Sequence, residues 1–131
     1  PNSCSLPFPV VRKLVGSEKL IGVSTHNRQE ALQAQEYGAD YITFGPVFDT
    51  PSKTGILKPT GSAIIRKLKE QIHIPIIALG GINDKNIETV LADGADGIAV
   101  ISSIMQADDP EDAARCLCSK IVTLKCPKIL T

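Results

Sequence analysis

Short apolar runs alternate with amphipathic helical patterns along most of the chain. The apolar runs predict four strands, at residues 20–24, 40–44, 74–79 and 96–102. Each is followed by a segment with helical spacing of its apolar positions, at 28–37, 61–71, 83–93 and 109–125. Because strand and helix alternate four times, the pattern predicts four βα units of a parallel sheet.

The same helix-ending signal occurs twice. Gly38 and Gly94 are each followed by Ala-Asp, so a Gly-Ala-Asp triplet recurs after about 56 residues. Glycine suits the left-handed residue that closes a helix, while Asn83 and Pro110 suit the first turn of the helices that they precede. The repeat indicates successive βα pairs of one parallel array.

Length and charge limit what this array belongs to. The chain has 131 residues, 43% of them hydrophobic, and 14 basic against 14 acidic side chains. We therefore expect a single α/β domain over residues 1–131, with no nucleic-acid or membrane partner. A whole (β/α)₈ barrel needs about 200 residues or more, so the chain supplies about half of a TIM-type barrel. A doubly wound sheet is the alternative, but no G-x-G-x-x-G follows the first strand.

The four cysteines predict neither zinc nor a disulfide. Cys116 and Cys118 are two apart on a predicted helix and so do not share a face, while Cys4 and Cys126 lie near the two chain ends. We expect reduced, buried cysteines in a cytoplasmic protein and no metal ligands.

The long segment after the second strand carries the first candidate chemistry. Thr50, Pro51, Ser52 and Lys53 place two hydroxyls and an ammonium within four residues of a 46–61 loop. Loops of that length inside compact domains are more often functional than idle. The composition suits a phosphate ligand.

Further candidates follow the other three strands. Bare amides at Gly80-Gly81 suit an anion, and Ser102 and Ser103 add amide and hydroxyl donors in the next unit. Ser24 can hydrogen-bond a ligand, and His26 is a possible acid/base. Since carboxyl ends of parallel strands share one edge, these groups are predicted to surround one phosphate ligand.

Five ordered motifs resemble the C-terminal half of thiamine phosphate synthase, from about residue 6 to 121. They are Ile21-Gly22-Val23-Ser24-Thr25-His26, Gly38-Ala39-Asp40-Tyr41, Gly45-Pro46-Val47-Phe48-x-Thr50-x-Ser52-Lys53, Ile77-Ala78-Leu79-Gly80-Gly81-Ile82 and Gly94-Ala95-Asp96-Gly97-Ile98-Ala99-Val100-Ile101-Ser102. The resemblance implies a TIM-type barrel in thiamine biosynthesis. That enzyme is a magnesium-dependent transferase that joins hydroxymethylpyrimidine diphosphate to thiazole phosphate and releases pyrophosphate.

The resemblance also assigns roles to the candidates. Lys53 and Ser24 would be catalytic groups facing the pyrimidine diphosphate. The thiazole phosphate would be bound by Thr50, Pro51, Ser52, Gly81, Ile101 and Ser102. An ammonium aimed at a leaving diphosphate stabilises charge that grows as the carbon–oxygen bond breaks.

The start of the chain departs from the family pattern. Residues 1–5 are atypical, and Ser5 stands where the resemblance implies the last magnesium aspartate. A neutral hydroxyl is a poor magnesium ligand, so Mg²⁺ is expected for the family while its ligands are absent from this chain. We therefore expect weak or no activity from the isolated chain.

Three interpretations stay open on the sequence. The chain is a synthase half that needs its counterpart in cis or from another chain, a thiazole tautomerase using His26, or a non-catalytic half-barrel that binds phosphate ligands. Four parallel strands leave open edges, so a homodimer or a missing N-terminal half is the expected partner.

Overall fold

The computed structural model describes residues 6–50 and 58–125, which form a four-stranded sheet with helices on one face. The helices are α1 (Phe8–Val15), α2 (Arg28–Glu36), α3 (Ala63–Lys69), α4 (Ile87–Ala92), α5 (Ser102–Met105) and α6 (Pro110–Lys125). The strands are β1 (Gly22–Thr25), β2 (Tyr41–Phe44), β3 (Ile76–Leu79) and β4 (Gly97–Ala99). The α/β prediction with four parallel strands is confirmed.

The strands lie in chain order and every neighbouring pair is parallel. Each connection therefore crosses one face of the sheet through a helix, which brings all four carboxyl ends to one edge. Ser24, His26, Gly81 and Ser102 lie at that edge.

The hydrophobic core lies between the sheet and its helices. Alternate strand residues such as Ile42, Phe44, Ile76 and Ala78 are fully buried there. They contact apolar side chains of the covering helices, including Ala31, Ile65, Leu68, Ile87, Val90 and Leu117. The helix stripes predicted from apolar spacing thus supply one side of the core.

The other face of the sheet is open. Registered neighbours across the four strands put Ser24, Thr43, Ile77 and Gly97 in one row on that face. Ser24 is exposed and the other three are half-buried. This is the face that would become the interior if the sheet closed into a barrel.

Helix α1 was not predicted from the sequence. The chain enters it through Pro7, carries Pro9 in its first turn and leaves it at Gly16, whose φ is +77°. Proline early and glycine just after the end are ordinary helix boundary signals. Arg12 and Lys13 interrupt the apolar residues of this segment in sequence. On a helix the two basic side chains lie beside apolar ones, so they do not end the helix.

Two predicted boundaries were wrong. The helix predicted at 83–93 begins at Ile87, because the side chains of Asn83 and Asn86 accept backbone amides and hold 83–86 in a turn. The last strand ends at Ala99 rather than Ser102. Ile101 leaves the extended region at ψ −69°, and its carbonyl accepts the amides of Ile104 and Met105 at 3.1 and 2.9 Å.

Cys116 and Cys118 are free thiols, but both are exposed rather than buried. Their positions flank Leu117, which is buried in the core, so both cysteine side chains lie away from the core. In the part of the chain that the structure describes, no helix is both long and apolar enough to cross a membrane.

Candidate functional site

The carboxyl ends of β1, β2 and β3 are tied together by backbone hydrogen bonds. The amide of Gly45 donates to the carbonyl of Thr25 at 3.2 Å, which joins the ends of β1 and β2. The amides of Val47 and Phe48 then donate to the carbonyls of Leu79 and Gly80 at 2.9 and 3.1 Å. The segment after β2 therefore crosses the end of β3.

This crossing leaves no room for side chains on the glycines beneath it. A Cβ on Gly81 would lie 2.4 Å from the carbonyl oxygen of Asp49 and 2.7 Å from Cβ of Phe48. Its φ of +64° also falls in the left-handed region that L side chains rarely adopt. The absence of a side chain at Gly81 therefore allows the turn after β3 to pack directly against the segment that leads into Thr50.

Asn86 holds the same turn from the helix side. Its Nδ2 donates to the carbonyl of Gly81 at 2.9 Å, and its Oδ1 accepts the amide of Asn83 at 2.9 Å. One amide side chain thus fixes both ends of the 81–83 segment. Sequence reasoning missed Asn86, since nothing in its spacing marks the residue that closes this turn.

The start of α5 lies beside the turn after β3. The hydroxyl of Ser103 donates to the carbonyl of Ile82, which links the β4 end to the β3 end. Ser102 begins α5, and Ile101 before it is 73% exposed. Gly81 and Ser102, which were proposed as phosphate contacts, therefore lie on two adjacent and directly linked segments.

Backbone donors are available on these two segments. Within residues 6–50 and 58–125, the amides of Gly81, Ile82, Ser102 and Ser103 have no hydrogen-bond acceptor. Amides at turns and at the first positions of helices are the ordinary donors to bound anions.

A cleft of about 560 Å³ lies between α5 and α6, and Ser102 and Ser103 are among the residues that line it. Four aspartates line it, namely Asp84, Asp108, Asp109 and Asp112. Their carboxylates repel a phosphate. The interior of this cleft therefore does not suit a phosphate.

Ser24 and His26 lie at the β1 side of the same edge. The hydroxyl of Ser24 accepts a hydrogen bond from Oγ1 of Thr43 at 3.1 Å on the open sheet face. His26 follows β1 directly, and its ring Nδ1 lies 3.1 Å from Oε2 of Glu30. Both residues thus occupy the predicted edge, although their proposed roles stay predictions.

The surroundings of Glu30 favour its ionised form. Burial raises the pKa of Glu30, but hydrogen bonds from the backbone and ring of His26 and from Asn27 outweigh it and lower the pKa overall. The backbone amide of His26 donates at 2.8 Å and Nδ2 of Asn27 at 2.7 Å. The Asn27-x-x-Glu30 spacing is a helix-capping signature that could have pointed to Glu30 from the sequence.

Pro51, Ser52 and Lys53 lie outside the described residues, so their predicted roles remain untested. Thr50 lies within them and is half-buried. The backbone of this loop returns to the sheet, since the amides of Thr60 and Gly61 donate to the carbonyls of Pro46 and Val47 at 3.0 and 2.9 Å.

The described residues do not fit a magnesium site. Nowhere in 6–50 or 58–125 do three or more His, Cys, Asp or Glu side chains cluster closely enough to hold a metal ion. Magnesium prefers near-octahedral oxygen ligands, including carboxylates. We therefore derive no chemical step through a metal held by these residues.

Comparison with known proteins decides the family. The family model described as thiamine monophosphate synthase matches residues 3–104. The chain belongs to this family. It is 48% identical over 112 residues to the thiamine-phosphate synthase of Shouchella clausii and 46% identical over 110 residues to that of Syntrophomonas wolfei. These matches cover 86% and 84% of the chain but 54% and 53% of the two relatives.

Solved structures agree with the fold. A thiamine phosphate pyrophosphorylase from Pyrococcus furiosus superposes with a TM-score of 0.82 at 36% identity, over 93% of this chain and 57% of that one. A 3-hexulose-6-phosphate synthase, 20% identical, reaches a TM-score of 0.66 over 87% of this chain and 55% of that one, and shows likeness of fold alone. The predicted TIM-type arrangement is confirmed, and the chain spans about half the length of the family members that it matches.

Proposed function

We propose that this chain supplies the thiazole phosphate-binding strand ends of a thiamine phosphate synthase in thiamine biosynthesis. The observation that carries the proposal is the link between Ser103 and Ile82, which puts two sets of amides without an acceptor among residues 6–50 and 58–125 on adjacent strand ends. Amides fixed by a rigid scaffold bind phosphate without the ordering cost that a flexible loop would have.

The reaction joins hydroxymethylpyrimidine diphosphate to thiazole phosphate and releases pyrophosphate. In this proposal the amides near Gly81 and Ser102 hold the acceptor phosphate, with Thr50, Pro51, Ser52 and Ile101 around the thiazole phosphate. Lys53 and Ser24 face the diphosphate, where an ammonium stabilises the growing negative charge of the leaving group. The names of the two relatives described above favour this synthase assignment over a thiazole tautomerase.

Ser102→Asp is the sharpest test of the phosphate site. Aspartate at the first position of a helix is compatible with folding, because a negative charge there interacts favourably with the helix dipole. The carboxylate would nevertheless repel a phosphate held by the same amides. We expect Ser102→Asp to weaken thiazole phosphate binding by about tenfold or more, as measured by calorimetric titration.

Ser102→Asn is the matched control, since asparagine has nearly the same shape as aspartate but no charge. We expect it to retain affinity within about threefold of the wild type, because the backbone amides persist. Equal affinities of the Asp and Asn variants for thiazole phosphate would refute the phosphate site.

Turnover is a separate measurement. We expect the 131-residue chain, incubated with both substrates and Mg²⁺, to form little or no thiamine phosphate. Efficient turnover would show that a complementary half is not needed. The proposed cytoplasmic location and the two small-molecule substrates are part of the same hypothesis.

A further inference from the structure

The carboxylate of Glu30 makes more contacts to His26 than helix capping requires. Its Oε2 accepts both the backbone amide of His26 at 2.8 Å and the ring Nδ1 at 3.1 Å. Its Oε1 accepts Nδ2 of Asn27 at 2.7 Å. In the ordinary capping box, the glutamate reaches back to the backbone amide of the cap residue, whereas here it binds the residue before the cap.

The cap itself is made by a different side chain. Oδ1 of Asn27 accepts the amide of Glu30 at 2.9 Å and so closes the first turn of α2. The cap and the contact with the His26 ring are therefore made by different side chains, although Nδ2 of Asn27 also helps to orient the Glu30 carboxylate. A substitution at Asn27 removes the cap and one bond to Glu30, whereas a substitution at Glu30 removes the contact with the ring.

An ionised carboxylate can only accept hydrogen bonds. A neutral His26 ring that bonds to Oε2 through Nδ1 must therefore carry its hydrogen on Nδ1. Its other nitrogen, Nε2, is then an acceptor. Both side chains are 28% exposed, so this contact is screened less than one on the open surface.

We propose that Glu30 is a positioning residue that holds the His26 imidazole in the Nδ1–H tautomer and so makes Nε2 a proton acceptor at the carboxyl edge of the sheet. His26 follows Thr25, whose carbonyl accepts the amide of Gly45, just before the 46–61 loop. The inference rests on the proposed function only for the use that the ligand makes of Nε2. The tautomer itself is a property of the free protein.

Long-range ¹H–¹⁵N NMR of the ligand-free protein tests it, because the two ring nitrogens of a neutral imidazole differ in chemical shift according to which one carries hydrogen. Spectra are recorded at about pH 9, where an ordinary histidine is neutral. The chain has two histidines, so a His73→Gln variant assigns the signals. We expect Nε2 of His26 in the wild type to show the shift of an unprotonated nitrogen.

Three variants separate positioning from capping. Glu30→Ala should move His26 toward the tautomer mixture of a free imidazole, and Glu30→Gln should do so to a smaller extent, because its uncharged amide oxygen still accepts from His26. Asn27→Ala removes the cap and the bond from Nδ2 to Glu30, so it should destabilise the protein but change the His26 tautomer less than Glu30→Ala does. His73 should not change in any of them.

Two results would overturn the inference. One is an Nε2–H tautomer of His26 in the wild type, or a tautomer that neither Glu30 variant alters. The other is an equal tautomer change in Asn27→Ala and Glu30→Ala, which would mean that Glu30 acts only through the helix end. Because no substrate is present, either result is independent of whether thiazole phosphate binds.

Discussion

Oδ2 of Asp40 lies 2.6 Å from the backbone nitrogen of Ile21, whose carbonyl in turn accepts the backbone amide of Asp40 at 2.9 Å. Side chain and backbone of one residue thus pair with the residue just before β1. The guanidinium of Arg12 in α1 donates to the same carboxylate oxygen at 2.6 Å. Asp40 therefore joins α1, β1 and β2 at the amino edge of the sheet.

Asp96 repeats this arrangement 56 residues later in the chain. Its Oδ2 accepts the amide of Ile76 at 2.8 Å, its own amide donates to the carbonyl of Ile76 at 2.8 Å, and Lys69 of α3 donates at 2.9 Å. The Gly-Ala-Asp triplets seen in the sequence therefore mark the same set of contacts in two places. In each, one carboxylate accepts hydrogen bonds from a basic side chain of a helix and from a backbone amide at the start of a strand.

We predict that Asp96→Asn destabilises the protein by about 1 kcal/mol, because it removes a charge-assisted hydrogen bond but leaves an acceptor for Ile76. Asp40→Asn should act in the same direction. Urea unfolding measures both, with Asp84→Asn as the control. The Asp84 side chain is exposed, so its change should stay within about 0.5 kcal/mol. Equal midpoints for all three variants would contradict a structural role for these carboxylates.

The same contacts predict acid sensitivity. The amide of Ile21 and then the guanidinium of Arg12 lower the pKa of Asp40. Burial raises the pKa of Asp96, but Ile76 and Lys69 outweigh it and lower the pKa overall. A carboxyl whose folded pKa is depressed stabilises fully above its unfolded pKa, about 3.9, and loses that contribution as the pH falls through the folded value.

Unfolding free energy measured from pH 6 down to about 2 should therefore fall less steeply in Asp40→Asn and Asp96→Asn than in the wild type, mainly below about pH 4. Parallel pH curves would show that these carboxyls contribute nothing to the acid response.

The sequence predicts the fold where one local signal is enough. Strand and helix alternation, and the glycine stops at Gly38 and Gly94, are local, so the four βα units agree with the structure. Helix α1 also carries local boundary signals, Pro9 in its first turn and Gly16 after its end. The start of α4 depends on the hydrogen bond from the amide of Asn83 to the side chain of Asn86, which holds 83–86 in a turn. That contact cannot be read from the sequence, because either asparagine suits a helix start.

The site is less predictable, since its contacts join segments far apart in sequence. Glycines at 80 and 81 suggested an anion site, but the collision that excludes a Cβ at Gly81 comes from Phe48 and Asp49, more than 30 residues earlier. The hydrogen bond from Ser103 to Ile82 is similarly non-local. Residue type indicated the donors, and only the structure placed them together.

Gly81→Ala should destabilise the protein by about 3 kcal/mol, because it adds both left-handed backbone strain and a collision with the Asp49 carbonyl. Gly38→Ala is the matched comparison, since Gly38 has φ +85° but a Cβ there meets nothing within 4 Å. It should cost about 1 kcal/mol from strain alone. Chemical unfolding measures both. Similar losses of unfolding free energy in the two variants would mean that Phe48 and Asp49 do not restrict the space at Gly81.

Asn86→Asp should destabilise the protein by about 1–3 kcal/mol, because a carboxylate still accepts the amide of Asn83 but cannot donate to the carbonyl of Gly81. Asn83→Asp is the control. In the described structure Asn83 uses only its Oδ1, toward the amide of Lys85, so this change should cost less than about 0.5 kcal/mol. Calorimetric melting distinguishes them, and equal melting temperatures would contradict the role given to Asn86.

The open sheet face leads to the last prediction. Ser24, Thr43, Ile77 and Gly97 form a row that no helix covers in the described structure, and β1 and β4 each have an unpaired edge. Uncovered parallel sheets are rare, because both faces of such sheets are normally buried. We therefore expect the chain, expressed alone, to pair with a second copy through this face and to scatter light as twice its 14.0 kDa mass.

Ile77→Lys puts an ammonium at the centre of that row and should prevent the pairing, giving a monomer or an aggregate, since an unpaired charge cannot be buried between two sheets. Val122→Lys makes the same kind of change on α6, where Val122 is 60% exposed, and should leave the dimer intact. A folded wild-type monomer would rule out pairing of two copies. A dimer that persists in Ile77→Lys would place the contact elsewhere, because a lysine in the row has no counter-charge to accompany it into a closed interface.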